Sequence, residues 1–131
     1  MATAGCSQAE QPAAFLFEVS GKIEDKRIRE ASGLARSQRQ PGLLWVINDN
    51  GNKDHVHALD ASGTRLGEFE LKKGKNRDWE DLASFRYDDK PYLMIADIGN
   101  NESQHDHGTL YFVAEPAPQK NSEGFAVAAR R

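Results

Sequence analysis

Four short stretches of this chain concentrate carboxylates and amides: Arg29-Glu30-Ala31-Ser32, Asn48-Asp49-Asn50-Gly51, Asn76-Arg77-Asp78-Trp79-Glu80-Asp81 and Asp97-Ile98-Gly99-Asn100-Asn101. Brought together, such groups repel one another unless cations offset them. Arg29 and Arg77 supply part of that charge. A hard cation such as Ca²⁺ would supply more, because it takes six to eight oxygen ligands from carboxylates, amide carbonyls and backbone carbonyls. A plainer reading competes: Asn, Asp and Gly are what tight turns favour, and Asp49-Asn50-Gly51 makes a turn with no ligand at all. Asp78-Trp79-Glu80-Asp81 resists that reading, since a large aromatic flanked by three acids is not needed to turn a chain. Beside a bound cation, Glu80 or Asp81 could serve as a base or orient a water.

Other polar groups carry weaker signals. His55 and His57, and His105 and His107, are pairs with one residue between, a spacing that can share Zn²⁺, although a loop tip such as His105-Asp106-His107 is usually just a solvated turn. Lys72-Lys73-Gly74-Lys75 is either a phosphate contact or a solvated charge run. No Gly-x-Ser-x-Gly elbow, P-loop or dinucleotide fingerprint occurs.

The elements that must position these residues are strands. Shifted by 48, residues 29–52 match 77–100 at seven of 24 ungapped positions, and the Asp-x-Gly-Asn tetrad recurs. A period of about 40–50 residues is that of a four-stranded propeller blade. Within the first unit, 43–47 is an apolar, β-branched and aromatic run closed by a turn, 55–60 follows, and 64–71 alternates apolar with polar residues. The second unit repeats the order at 79–85, 91–97 and 108–114, with 124–129 as its fourth strand. An extra strand is expected at 14–19. Residues 22–36 have good helix formers but no apolar stripe and an interrupting Gly33, so they read as loop and then strand. The expected fold is all-β: antiparallel blades of an incomplete propeller, blade one over 28–72 and blade two over 76–131, after a tail at 1–12. In such blades the turn into the first strand and the turn between the second and third share a rim. All four acidic stretches therefore fall on one rim, and the opposite rim receives ordinary turns.

The chain has 131 residues, 17 Lys+Arg against 20 Asp+Glu, and a net charge of −3, which offers no electrostatic footprint for nucleic acid. No apolar run is long enough to span a membrane as a helix. A single cysteine excludes an internal disulfide and a Cys-based zinc site. Two blades cannot close a ring of four or more. Either the chain is part of a longer propeller, or copies of it associate, or the units pack as a sandwich; the strand-like run 124–131 favours the first.

The order Glu30-Ala31-Ser32-Gly33-Leu34-Ala35, Leu44-Trp45-Val46-Ile47-Asn48-Asp49-Asn50-Gly51, Arg77-Asp78-Trp79-Glu80-Asp81-Leu82-Ala83 and Ala96-Asp97-Ile98-Gly99-Asn100-Asn101 resembles the opening blades of a bacterial secreted β-propeller family related to phytase-like, esterase-like and gluconolactonase-like propellers. The resemblance covers about residues 28–116. It implies a Ca²⁺ or another divalent ion held over a central channel, with Glu30, Asp49, Asn50, Glu80, Asp81 and Asp97 as candidate ligands. Arg29, Arg77, Asp78, Trp79, Asn100 and Asn101 complete the rim. The remaining ligands would come from other blades or another subunit. Ala4-Gly5-Cys6-Ser7 looks like a lipoprotein processing site, which implies a periplasmic or secreted protein anchored through Cys6, with the signal peptide outside this chain. Two functions follow: a scaffold binding a ligand or protein partner at its acidic rim, or part of a metal-dependent hydrolase of lactones, esters or phosphate esters.

Overall fold

Alternating and apolar runs give strands wherever turn residues bound them. The computed structural model describes residues 17–101, 103, 105–117 and, as backbone, 125–128, and among these there is no helix. The strands are β1 (Ala31–Arg36), β2 (Leu43–Asn48), β3 (His55–Asp60), β4 (Arg65–Lys72), β5 (Trp79–Tyr87), β6 (Lys90–Asp97), β7 (Thr109–Ala114) and β8 (Phe125–Ala128). β1 to β4 form an antiparallel meander, and β5 to β7 form a second one. The β5–β6 hairpin turns through Asp88 and Asp89 alone, both at positive φ (46° and 57°). That is the two-residue loop whose twist suits antiparallel strands.

The sheets pack face to face. Trp45, Ile47, Val56, Ala58, Phe69 and Leu71 of the first meet Leu82, Leu93, Ile95, Tyr111 and Val113 of the second in one core. β1 lies along β5 with almost no gap, because Gly33 has no side chain: a Cβ there would sit 2.7 Å from the Leu82 nitrogen. The Ser32 hydroxyl donates to the Trp79 carbonyl at 2.6 Å, and Ser84 donates to the Arg36 carbonyl.

The repeat is visible in the pairing, with one correction of register. Each inner strand bulges at the same place, between Ala31 and Gly33 and between Trp79 and Asp81. Ala31 pairs with Asn48, and Trp79 pairs with Asp97. The offset is therefore 48 between β1 and β5 but 49 between β2 and β6. Asp97 takes the place of Asn48, and Asp49 corresponds to Ile98. The ungapped alignment pairs Asp49 with Asp97 because it has no room for the extra residue. The corrected register also explains the faces. Trp45 and Ile47 point at the second sheet, whereas their counterparts Met94 and Ala96 point away from the first. One face of the first unit thus packs on the reverse face of the second, as successive blades do.

Two strand expectations change. β8 pairs with β4, in parallel and on the first sheet's outer edge, and is not a fourth strand of the second unit. Residues 17–19 carry no strand, and the rest of the expected strand at 14–19 lies outside the described residues, as do the tail at 1–12 and Cys6. The rim opposite the acidic one is also more than solvated turns. Glu115, 1% exposed, accepts from the Trp45 indole at 2.9 Å, the Gln38 backbone N–H at 2.9 Å and the Ser37 hydroxyl, and so ties the two sheets together.

Candidate acidic site

Backbone geometry delivers the acidic residues to one rim. The Asp49 N–H donates to the Glu30 carbonyl at 2.8 Å, and the Gly99 N–H donates to the Asp78 carbonyl at 3.1 Å, so in each unit the turn after the second strand closes on the segment leading into the first. Each closure is matched by a side chain. The Glu30 N–H donates to the Asn48 amide oxygen at 3.3 Å, and the Asp78 N–H donates to the Asp97 carboxylate at 2.8 Å. Asn76 links the two units: buried, it donates through its amide to the Asn48 and Asp49 carbonyls at 3.0 and 2.9 Å, and accepts from the Trp79 N–H at 3.1 Å.

These closures bring Asp49, Asp78 and Glu80 together, with one carboxylate oxygen of each inside 4.8 Å of the others. Asp49 follows β2, Asp78 precedes β5, and Glu80 is the bulged residue of β5. Asp78 is buried at 4% exposure and the other two are half-buried. Among the described residues, no Lys, Arg or His forms an ion pair with any of the three. Asp78 is supported by neutral donors: the Asn50 amide at 3.2 Å and the Asn101 backbone N–H. Burial, and then the Asp49 carboxylate against it, push the Asp78 carboxyl above the ordinary range. Burial, with Asp49 and Asp78 nearby, does the same to Glu80. Gly99 makes room for the cluster, since a Cβ there would lie 2.2–2.7 Å from the Asp78 carboxylate atoms.

The other expected ligands sit elsewhere on the rim. Asp97, 1% exposed, is consumed by the Arg77 guanidinium at 2.9 Å and the Asp78 N–H, so it orients the loop and is closed to a cation. Glu30 accepts from the Asn52 amide at 2.9 Å. Asn50 donates to Asp78, and Asp81 is exposed with one oxygen on the Leu82 N–H at 2.8 Å. Trp79 is fully buried, its indole donating to the Lys75 carbonyl at 3.2 Å. Asn100 clamps its own loop through both backbone groups of His105. Arg29 donates to the Lys26 carbonyl, outside the cluster. His107 pairs with Asp106 at 2.6 Å on the surface. His55 and His57 meet Glu68 at 3.5 and 3.1 Å on the outer face of the first sheet. The positioning work of Asn76 and Gly99 is what residue types alone did not reveal.

No family model, curated protein or solved structure matches this chain.

Proposed function

We propose that this chain is a propeller-type binding module whose acidic rim takes up a divalent cation, Ca²⁺ by its ligand chemistry, and through it a ligand or protein partner. The observation that carries the reading is the triad of Asp49, Asp78 and Glu80, three carboxylates in mutual reach with no cationic side chain paired to them among the described residues. Such a group favours taking up a proton or a cation, and oxygen-only ligands suit a hard ion. With one oxygen from each, three side chains fill at most half of a calcium shell. The open positions belong to water, backbone carbonyls or an oxygen-bearing ligand, which makes the cation a handle for binding. A periplasmic or secreted location accords with this use.

One observation favours hydrolysis as a second reading. Glu80 is half-buried and its carboxyl is pushed up, as suits a group that exchanges a proton beside a metal. Assays on lactones, aryl esters and phosphate esters, with calcium and with chelator, separate the two. The scaffold reading expects no turnover above background in either condition. Calcium-dependent turnover that is lost in Glu80→Gln establishes the hydrolase instead.

A further inference from the structure

The outer side of the first sheet carries a pocket separate from the acidic triad, for none of Asp49, Asp78 and Glu80 lines it. Strand alternation turns His55 and His57 of β3 and Glu68 of β4 to this side, opposite the core face of Val56, Ala58 and Phe69. The segment before β1 folds back over them. Asn48 holds it there, donating to the Arg27 carbonyl at 2.8 Å and accepting from the Glu30 N–H at 3.3 Å, and the Ile28 N–H closes a turn on the Asp25 carbonyl at 3.0 Å. Asn52 and Lys53, in the turn between β2 and β3, form a further wall. The volume is about 210 Å³. That is below the roughly 300 Å³ at which pockets for drug-sized ligands begin, so its occupant is small.

The charge of this pocket is one-sided. Lys26, Arg27, Arg29 and Lys53 line it against a single carboxylate, Glu68, in a chain whose net charge is −3. The carboxylates around it are already matched. Glu68 takes Arg65 at 2.8 Å, and Asp25 takes Arg27 through both oxygens, at 2.9 and 2.6 Å. Glu30 accepts from Asn52, and Glu70 accepts from Lys72. Lys26, Arg29 and Lys53 form no ion pair among the described residues, and Arg29 spends its Nε on the Lys26 carbonyl at 2.9 Å. The floor adds a polar group. His57 is 3% exposed, and its Nδ1, although 3.1 Å from a Glu68 oxygen, has no aligned hydrogen-bond partner among the described residues. Cations without counter-charge around a concave site raise the local concentration of anions.

We infer that this pocket binds a small tetrahedral dianion of the sulfate or phosphate class. A dianion answers more of the unpaired charge of Lys26, Arg29 and Lys53 than a carboxylate does, and its four oxygens offer each of them an acceptor.

Calorimetric titration of the full chain with sodium sulfate and with inorganic phosphate tests this, with chelator present so that no divalent ion at the acidic rim contributes. Saturable binding of both anions is expected. Arg29→Gln combined with Lys53→Gln, both at exposed positions, is expected to weaken it at least about tenfold while keeping a cooperative melt. Lys90→Gln, an exposed cation on the second sheet, and Asp78→Asn, at the acidic rim, are expected to leave the affinity unchanged, so a failure of the cation site does not touch this result. Absence of saturation with both anions overturns the inference, and so does an affinity that survives in the double variant or falls equally in Lys90→Gln. Acetate binding as tightly as sulfate overturns the assignment of a dianion.

Discussion

At the residue scale, Asp78 is the centre of the acidic site, and its behaviour follows from its surroundings. It is buried, faces Asp49, and among the described residues has neutral donors alone. A carboxyl with a raised pKa binds its proton more tightly in the folded chain than in the unfolded one. Its ionisation therefore lowers stability as pH rises past the ordinary carboxylate value and through the folded value. Without divalent ions, Asp78→Asn is expected to melt above the parent at neutral pH. That advantage should shrink on acidification, as the parent's own carboxyl takes up a proton; denaturant melts at several pH values check both signs. Gly99→Ala should fold and lose cation binding, because the methyl group collides with the Asp78 carboxylate; calorimetric titration with calcium reads it. The resemblance implied Asp49 and Glu80 as candidate ligands and left Asp78 among the other rim residues. It also enrolled Asp97, which the structure gives to Arg77. Nothing in the local sequence tells which of several acids an arginine will take, since that depends on the register in which β6 pairs with β5.

At the element scale, the strands and turns follow from alternation and turn residues, and seven strands, β2 to β8, lie within two residues of their expected bounds. β8 was misassigned because a four-residue apolar strand fits any free edge; its partner is fixed by tertiary geometry. The one-residue change of offset between β1/β5 and β2/β6 was equally invisible, since the extra residue lies in the connection between Ser84 and Leu93, and the length of a hairpin connection leaves no composition signal. The clasp at the rim opposite the acidic site was missed for a third reason: Glu115 looks like a surface acid, and only packing shows that it collects three donors from the first sheet. Glu115→Ala strands the Trp45 indole and the Gln38 N–H, and is expected to cost about 2–4 kcal/mol of unfolding free energy in urea melts. The β5–β6 hairpin offers the opposite test. Asp89 holds a left-handed conformation that glycine adopts without strain, so Asp89→Gly is expected to stabilise the chain by about 1 kcal/mol.

At the scale of the whole molecule, two sheets related by a repeat place one charge cluster at their shared mouth and another on the outer face. In the outer cluster, burial lowers the His57 pKa to about 4 against the upward pull of Glu68, so the imidazole is neutral at pH 7. Unfolding restores an ordinary value near 6.5. The stability this histidine contributes is therefore present above that value and lost as pH falls towards 4, by about 2–3 kcal/mol. His57→Gln should flatten the pH dependence of the melting temperature over that range. The proposed function rests on the mouth, and terbium luminescence addresses it most directly, because Tb³⁺ occupies calcium sites and Trp79 lies between Asp78 and Glu80 in sequence. Terbium emission excited through tryptophan should rise with saturation, fall when calcium is added, and be absent in Asp78→Asn. Emission that does not saturate, or that persists unchanged in Asp78→Asn, would contradict a cation site at this triad.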